Sequence, residues 1–272
     1  MTKDTPATKF QPPVQLDIVI PIYGRLDFLE HCLYNLPKAA KDIVFRVCAL
    51  DNASPEVGAD KIVMKAFPNA YFRRSRENLG FPKGCNVAMR MGHAPLVLFL
   101  NTDCFLEKNS IQIMVEDMII DPQVGAVGPK LLFPEGSPNG TAEKIQHAGL
   151  DTNINGEIIH TFIGWSADNE RVMKQAEPLA LTGACLMTRR RLFVEAKGFL
   201  EDYGMGTYED VDYCLTLRAS DYKIIYEPRA IGYHYVGASA IENKMQFPLN
   251  QNYQLFRLRW NNRIPWTEWS RQ

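Results

Sequence analysis

The stretch Leu96–Leu106, LVLFLNTDCFL, constrains the fold of this chain more than any other segment. An unbroken apolar run ends at Asn101, Thr102 and Asp103, and such a short run is typical of a strand buried on both faces of a parallel sheet. Sheets of this kind bind ligands just beyond the carboxyl ends of their strands. Asp103 is therefore a candidate ligand for a divalent cation, which prefers carboxylate oxygens. The alternative is that these polar residues only end the strand and cap the next segment.

Strand-like and helix-like segments alternate through the first half of the chain. A helical spacing of apolar residues in 27–36 comes after the strand-like run LDIVIPI, and Asp27 is placed to cap that helix. The alternation favours a parallel α/β sheet with right-handed crossovers. Before residue 133, the predicted strands are 16–22, 43–50, 71–73, 96–100 and 124–132, and the predicted helices are 27–36, 55–67, 82–91 and 110–120.

This alternation stops after residue 132. Short strands and turns are predicted for 145–162, and a buried strand for 179–188. Gly183 inside that strand indicates a close approach by a backbone or a ligand. The remaining predicted elements are helices at 191–196, from about 210 onward and at 248–262, with a strand at 223–227.

Composition excludes several classes of protein. The net charge of −1 over 272 residues gives no electrostatic reason for the chain as a whole to bind nucleic acid. None of the six cysteines forms a CxxC pair, which predicts reduced core thiols rather than a disulfide framework or a zinc site. Residues 1–15 form a polar lead-in without the apolar region of a signal peptide, and no apolar run approaches the roughly 18 residues of a membrane helix. We therefore expect a cytoplasmic protein, at most peripheral at the inner membrane surface.

Carboxylates recur where predicted strands give way to polar residues. Asp51 lies at the end of the second strand, Asp103 at the end of the fourth, and Asp210 where a later helix begins. Such ends lie along one edge of an open sheet, so we expect these three side chains to face one cleft. A metal ion that bridges to phosphates is the simplest partner for it. Neither GxGxxG nor GxxxxGK occurs, so the dinucleotide and P-loop motifs do not apply.

Two positions in the second half are candidates for proton transfer and metal binding. A helix N-terminus keeps the carboxylate of Asp210 ionised, and an ionised carboxylate can take a proton from an alcohol. Glu209 is equally able chemically, so spacing does not choose between them, and the alternative is a helix cap with solvated acidic neighbours. His234 can complete a metal site with Asp103 through its neutral imidazole, the alternative being a structural histidine.

The loop that precedes the third predicted helix is a candidate phosphate or base pocket. It brings together a cation, amide side chains and glycines, which suit close approach to a ligand. The alternative is that its glycines only begin the helix. The residues concerned are Arg76, Asn78, Gly80, Lys83, Gly84 and Asn86.

Taken in order, the motifs of this chain resemble those of the family 2 glycosyltransferases, which have the GT-A fold, and especially the rhamnosyltransferase-like bacterial members. Each motif is modest alone, but the ordered set over residues 16–239 is specific. The motifs are PIYGR, LDNAS, ENLGFPKGCNVAM, FLNTD, TGACLMTRRRLF, GFLEDYG, YEDVDYCLTLR and YEPRAIGYHYVGAS.

The resemblance implies an α/β fold, with a Rossmann-like, mostly parallel sheet flanked by helices and a smaller antiparallel subsheet on the acceptor side. Residues 16–132 would form the nucleotide-sugar-binding half of one GT-A domain, and residues 133–240 the acceptor and catalytic half. The aromatic, basic tail over 241–272 suits docking on a membrane surface or an extended acceptor. The alternative for this tail is a helix that packs on the domain or on a dimer partner.

The same resemblance assigns the nucleoside-binding residues. Pro21, Tyr23 and Asp51 match positions that hold the donor nucleoside, with Asp51 accepting a hydrogen bond from the base. The loop with Asn78, Gly80 and Asn86 matches the segment that packs on this nucleoside, and Arg76 and Lys83 lie in the same loop.

It also assigns the reacting end of the site. Asp103 matches the last residue of the DxD motif, which meets Mn²⁺ or Mg²⁺ and the diphosphate, and His234 matches a histidine that can join the metal ligands. Asn101 stands where the first Asp of that motif is usual, so one charge is missing. Asp210 matches the general base. Thr102, Gly183 and Ala184 are further positions assigned to donor binding.

The implied reaction is inverting transfer of a sugar from a nucleotide-diphosphate donor, with UDP- or dTDP-sugars favoured, to an acceptor hydroxyl. A glycan, a lipid-linked glycan, a protein and a modified nucleic acid all remain open as acceptors. One alternative is a sugar-nucleotidyltransferase, which would need a glycine-rich triphosphate loop that PIYGRLDF lacks. The other is a non-catalytic nucleotide-sugar-binding or scaffold protein.

Overall fold

A computed structural model of the chain describes residues 13–153, 155–237, 246–260 and 263–264. Predictions for the lead-in before residue 13, and for the tail at 241–245, 261–262 and 265–272, lie outside them. The strands are β1 (Leu16–Ile22), β2 (Phe45–Asp51), β3 (Tyr71–Arg74), β4 (Leu96–Leu100), β5 (Cys104–Leu106), β6 (Val124–Leu132), β7 (Ile145–His147), β8 (Leu150–Thr152), β9 (Ile158–His160), β10 (Cys185–Arg189) and β11 (Lys223–His234). The helices are α1 (Leu26–Ala40), α2 (Ala59–Ala66), α3 (Phe81–Met89), α4 (Ser110–Ile120), α5 (Arg190–Glu195), α6 (Glu209–Arg218) and α7 (Leu249–Trp260).

One large sheet organises the described residues. Its strand order is β3-β2-β1-β4-β10-β6-β11-β5, and β7 pairs with β6. The strands β3, β2, β1 and β4 are parallel, as are β6 and β11, whereas β10 runs antiparallel between β4 and β6. A separate antiparallel pair, β8 and β9, forms the small second sheet. The expected α/β fold with a mostly parallel sheet and a smaller antiparallel subsheet is confirmed.

The apolar runs in β1 and β4 are explained by helices on both faces of the sheet. In β4, Leu98 packs into the core cluster that contains residues of α1, α2 and α4, while its neighbours Val97 and Phe99 pack into the cluster with α3, α5 and α6. All three side chains are fully buried. Because alternate residues of a strand point to opposite faces, a strand covered on both sides has no position that faces solvent, and the one charged residue of β1, Asp17, is buried in an ion pair with Arg190.

The first strand of the run Leu96–Leu106 ends at Leu100, as predicted from the polar residues that follow it. Residues of β4 continue the parallel sheet, but Asn101–Asp103 form a turn, and Cys104–Leu106 then pair antiparallel with β11 as β5. The chain reverses here because the Cys104 N–H donates to the Asn101 carbonyl. This turn presents Asp103 beyond the end of β4 rather than within a strand.

Several boundaries differ from those predicted. Asp27 does not cap α1: Arg25 occupies the cap position with a left-handed φ of 49°, and Asp27 lies in the first turn, bound by the Arg25 guanidinium. The predicted strand 179–188 is shorter, because only 185–189 join the sheet and Gly183 lies in a turn before it. By contrast, helix 110–120 and strand 124–132 have the predicted bounds.

The predictions for the cysteines and for the last helix are confirmed by the described residues. All six cysteines are buried free thiols. The helix predicted at 248–262 is observed as α7, over Leu249–Trp260. Among the helices in the described part of the chain, none has both the length and the apolar character needed to cross a bilayer.

Candidate active site

A cavity of about 300 Å³ lies beyond the carboxyl ends of β1 and β4, against the first turn of α6. Asp103 reaches it from the turn after β4, and Asp210 reaches it from α6. Two carboxylates that are distant in the sequence therefore share one hollow. The residues singled out from the sequence that line this cavity are Pro21, Tyr23, Asn78, Gly80, Asn101, Thr102, Asp103, Gly183, Ala184, Glu209, Asp210 and His234.

Asp51 is not part of this lining. Its side chain is almost fully buried, one carboxylate oxygen accepts from the Arg74 guanidinium, and the other accepts from the Ser54 N–H at 2.8 Å. Both oxygens are therefore occupied within the protein. The next residue, Asn52, lines the cavity in its place.

Four residues of the predicted 76–86 pocket, Arg76, Lys83, Gly84 and Asn86, also lie outside the lining. Arg76 and Lys83 are exposed. Asn86 is buried and has a structural environment: its Nδ2 donates to the Phe199 carbonyl at 2.8 Å, and its Oδ1 accepts from the Phe199 N–H at 2.9 Å. Asn86 thus ties α3 to the segment that comes after α5.

The loop before α3 is held by a pair of asparagines. Asn52 Nδ2 donates to Asn78 Oδ1 at 3.0 Å and to the Gly80 carbonyl at 3.1 Å, and its Oδ1 accepts from the Leu79 N–H at 2.9 Å. Gly80 has a φ of 77°, and a Cβ there would overlap the carbonyl of Gly204. The loop therefore approaches the opposite wall of the cavity as closely as a backbone can, which requires glycine.

Asp103 and His234 lie together on one side of the cavity. Asp103 Oδ1 lies 3.4 Å from His234 Nε2, and both side chains are largely buried. His234 Nδ1 is 3.2 Å from Gln146 Oε1. Because an amide oxygen only accepts, Nδ1 carries the proton and Nε2 presents its lone pair. That Nε2 has no hydrogen-bond partner, which is the state of a histidine ready to ligate a metal.

On the other side, the two acidic residues of α6 have different environments. Asp210 Oδ2 accepts from the Gly183 N–H and Oδ1 from the Val211 N–H, both at 2.8 Å. Burial raises the pKa of Asp210, but these two N–H groups act against the increase. Glu209 Oε2 is buried without a partner, and burial together with the neighbouring Asp210 charge raises the pKa of Glu209 well above its ordinary value, although the Glu209 and Thr207 N–H groups act against the increase. Asp210, with both carboxylate oxygens bound by N–H groups, is the better placed of the two to hold a negative charge.

A strained turn brings these carboxylates into the cavity. Thr207 and Tyr208 precede α6 with left-handed φ values of 82° and 71°, which residues other than glycine rarely adopt. Asn252 on α7 stabilises this turn, since its Nδ2 donates to the Gly206 carbonyl at 2.7 Å and to Thr207 Oγ1 at 3.0 Å.

Helix α7 is bound to α6 by further contacts. Phe256 is fully buried with its ring 5.1 Å from that of Tyr208. Arg259 Nε and Trp260 Nε1 donate to Asp212 Oδ2 at 2.6 and 2.9 Å. The described part of the tail therefore packs on the domain that contains the site. This is one of the two interpretations of the tail given from the sequence.

Sequence reasoning missed part of the lining. Asn52 and Phe81 lie inside the quoted motifs LDNAS and ENLGFPKGCNVAM, so their signal was present. Phe247 had no local signal, because its place depends on how the chain returns to the cavity before α7. The missed residues are Ile22, Asn52, Phe81, Thr182, Met205, Gly206, Thr207, Gly237 and Phe247.

Among the described residues, no group of three or more His, Cys, Asp or Glu side chains is arranged to hold a metal ion by itself. The pair Asp103 and His234, with its unpartnered Nε2, can supply two ligands. Mg²⁺ and related hard cations commonly take one or two protein ligands and complete their shell with water and substrate phosphates. The donor set therefore fits a divalent cation that binds together with a phosphorylated substrate.

Comparison with known proteins gives a consistent picture. Residues 17–194 match the model of the Glycosyl transferase family 2. An uncharacterised protein of Sinorhizobium fredii, y4gI, is 25% identical over 245 residues, covering 82% of this chain and 25% of that protein. An N-acetylglucosaminyl-diphospho-decaprenol L-rhamnosyltransferase of Mycobacterium tuberculosis is 27% identical over 241 residues, covering 81% of this chain and 76% of that enzyme. The chain thus spans about a quarter of the first relative and about three quarters of the second.

Among solved structures, that of GalNAc-T7 with UDP, GalNAc and Mn²⁺ is similar with a TM-score of 0.65 and 12% identity. The likeness covers 81% of this chain and 44% of that chain. At this identity it establishes the shared fold alone, and the GT-A fold expected from the motifs is confirmed.

Proposed function

The chain belongs to the Glycosyl transferase family 2, and on that premise we propose that it transfers a sugar from a nucleotide-diphosphate donor to an acceptor hydroxyl by a single inverting displacement. One observation carries this proposal. Asp103 with His234 and Asp210 with Gly183 lie on the wall of the same cavity, so a phosphate-facing site and a proton-accepting site adjoin one hollow.

The donor nucleoside would lie between β1 and the loop before α3. Pro21 and Tyr23 offer an apolar and an aromatic surface there, and Asn78 and Gly80 form the facing loop that Asn52 holds. In this proposal the contact of Asp51 with the base requires Arg74 to release one carboxylate oxygen. Asn52, which already lines the cavity, offers both an amide donor and an acceptor to a base.

The diphosphate would lie beside Asp103. Asp103 and His234 would hold Mn²⁺ or Mg²⁺, and a bound ion would offset the charge that develops on the leaving diphosphate. Asn101 and Thr102 line the same wall and have no charge of their own, so they can accept or donate hydrogen bonds without repelling phosphate oxygens.

Asp210 is the proposed general base. As the acceptor oxygen bonds to the anomeric carbon and the bond from that carbon to the diphosphate breaks, the hydroxyl proton passes to the Asp210 carboxylate. The Gly183 and Val211 N–H groups keep this carboxylate oriented, and its raised pKa makes it a stronger base than a solvated aspartate. The raised pKa of Glu209, caused by burial and by the adjacent Asp210 charge, favours one negative charge at this turn rather than two.

For the substrates, we propose a UDP- or dTDP-sugar donor and a saccharide hydroxyl as acceptor. The relative from Mycobacterium tuberculosis is named as a rhamnosyltransferase that acts on a lipid-linked N-acetylglucosamine, which supports a lipid-linked glycan as the first acceptor to test. The structural neighbour was solved with UDP and Mn²⁺, which supports a divalent cation and a uridine nucleotide in the first screen.

The test is turnover of a donor panel, UDP-GalNAc, dTDP-L-rhamnose and GDP-mannose, by the full chain with and without Mn²⁺. We expect one donor to be hydrolysed slowly without acceptor, and Asp210→Asn to lower that rate about 10²–10⁴-fold while nucleotide binding persists. The matched control is Asp202→Asn, an exposed carboxylate outside the cavity lining. Nucleotide binding without turnover by any combination would support the non-catalytic alternative instead.

A further inference from the structure

A pair of buried histidines outside the cavity lining is not used by the proposed reaction. His147, at the end of β7, is fully buried, and its Nδ1 lies 3.1 Å from Nδ1 of His160 on β9. On its other side, His147 Nε2 accepts from the N–H of Thr182 at 3.4 Å. His147 therefore links the small antiparallel sheet to a residue of the cavity wall.

The protonation of this pair can be derived from its geometry. A backbone N–H can only donate, so His147 Nε2 is unprotonated and the ring hydrogen is on Nδ1. That Nδ1–H then donates to His160 Nδ1, which places the hydrogen of His160 on its Nε2. An added proton on His147 Nε2 would face the Thr182 N–H, and one on His160 Nδ1 would face the His147 N–H. Both rings are therefore held neutral.

The surroundings agree with this assignment. Burial lowers the pKa of His147 well below its ordinary value, and it lowers the pKa of His160 to about 4. A charge on His160 or on His234 would lower the pKa of His147 further, and a charge on His234 would lower the pKa of His160. A proton added to His147 or to His160 is therefore disfavoured by the surroundings as well as by the hydrogen bonds.

The residue that His147 holds begins the segment that orients the base. Thr182 is followed by Gly183, whose N–H donates to Asp210 Oδ2, and by Ala184, whose carbonyl accepts from the Asn101 N–H at 2.9 Å. This segment of three residues thus joins the Asp210 side of the cavity to the strand end that precedes Asp103. A shift at Thr182 would move both.

We propose that His147 is a positioning residue for sugar transfer, which holds Thr182–Ala184 where the Gly183 N–H orients the Asp210 carboxylate, and that His160 fixes the ring state this requires. The proposal rests on Asp210 acting as the base. It adds that the neutral Nδ1–H form of His147 is the form that supports transfer, and that the small sheet of β8 and β9 contributes to the site through His160.

The first test reads the ring state directly in the full chain. Long-range ¹H–¹⁵N correlation spectra of histidine-labelled protein should show His147 as the neutral Nδ1–H tautomer and His160 as the neutral Nε2–H tautomer from pH 8 down to pH 5.5. Either ring in the opposite tautomer, or charged at pH 7, would overturn the proposal. This readout needs no substrate, so it is independent of whether the donor assay succeeds.

The second test separates positioning from packing. His147→Gln keeps an acceptor and a donor, whereas His147→Leu keeps neither; His93→Leu, at an exposed histidine, is the control. We expect His147→Leu to lower kcat for the donor of the panel about 10–100-fold with little change in the donor KM, and His147→Gln to retain most of the rate.

If His147→Leu is poorly folded, or if no donor of the panel turns over, the ¹H–¹⁵N signal of the Gly183 amide still tests the positioning role. It should move when Asp210→Asn is introduced, stay near its wild-type position in His147→Gln, and move in His160→Leu, which leaves His147 in place. Equal activity in His147→Gln, His147→Leu and wild type, or a Gly183 signal that does not move in His160→Leu, would refute a positioning role. Absence of turnover in wild type with the expected tautomers would count against the proposed function alone.

Discussion

Asn252 Nδ2 donates a hydrogen bond of 2.7 Å to the carbonyl oxygen of Gly206, and so joins helix α7 to the wall of the cavity. The same amide also donates to the Tyr203 carbonyl at 2.9 Å. Asn252 is almost fully buried, so the carbonyls that it binds depend on this amide rather than on solvent for a hydrogen-bond donor. The helix at the end of the described chain is therefore part of the site's support.

Replacing Asn252 by Ala should lower the free energy of unfolding by about 1–3 kcal/mol, because it leaves buried carbonyls unpaired. Urea denaturation followed by circular dichroism measures this. Asn250→Ala, at an exposed position of the same helix, is the control and should change stability by less than about 0.5 kcal/mol. Equal denaturation midpoints for the two variants would show that α7 does not support the turn before α6.

Gln146→Leu tests the metal side of the site. Gln146 fixes the Nδ1–H tautomer of His234, so its loss should raise the Mn²⁺ concentration needed for half-saturation about 10–100-fold, as is typical of partners that orient a metal ligand. The measurement is a Mn²⁺ titration of the thermal unfolding temperature with UDP present. Gln123→Leu, at an exposed position, is the control. An unchanged Mn²⁺ requirement would exclude His234 as a ligand in this state.

Gly80→Ala should destabilise the protein more than Gly58→Ala. Both positions have left-handed φ values, 77° and 112°, so each substitution carries the strain of about 1–2 kcal/mol expected for a side chain there. Only at Gly80 would the new Cβ also overlap backbone, at the carbonyl of Gly204, whereas nothing lies within 4 Å at Gly58. The denaturation midpoints of the two variants measure the difference in stability. A larger loss of stability in Gly58→Ala than in Gly80→Ala would contradict the close approach of the loops that contain Gly80 and Gly204.

Asp117→Asn should change how stability depends on pH. Burial and the neighbouring Glu227 raise the pKa of Asp117 from 3.8 to about 7, while Arg229 keeps Glu227 ionised. The folded protein therefore holds a proton that the unfolded chain releases, so stability declines as pH rises from about 4 to about 7.

The variant lacks this proton and should gain stability relative to wild type between pH 5 and pH 8, on the order of 1–3 kcal/mol. Urea denaturation at the two pH values gives the difference, with the exposed Asp60→Asn as control. A difference between variant and wild type that is the same at both pH values would show that Asp117 is ionised throughout.

Local pattern sufficed for most elements. The apolar run of β4 and the helical spacing of α4 are set by which faces the sheet and helices bury, and that information is present in each segment alone. Errors occurred where tertiary contacts choose the boundary. The polar residues Asn101–Asp103 ended β4 as expected, but the reversal into β5 depends on pairing with β11, which lies far along the chain.

The site residues were likewise predicted in part. The ordered motifs identified the residues around Asp103 and Asp210, and the structure places both at one cavity. The sequence could not distinguish Glu209 from Asp210, because both open the same helix. Burial and the Gly183 N–H distinguish them, and neither is visible in a linear sequence. Asp51 was assigned to the donor by resemblance, whereas the fold presents its carboxylate to Arg74.

By itself, the sequence determined the family, the class of fold and the location of the candidate chemistry at the ends of buried strands. The spacing of apolar residues within a segment, and the order of motifs along the chain, can both be read without knowing how the segments pack. Only the tertiary structure decided which side chains meet: His234 with Asp103, Asn252 with Gly206, and His147 with Thr182. Each of these contacts joins residues far apart in the chain. Their existence depends on how separately formed elements pack, because burial and hydrogen-bond geometry are set only once the sheet and its covering helices are assembled.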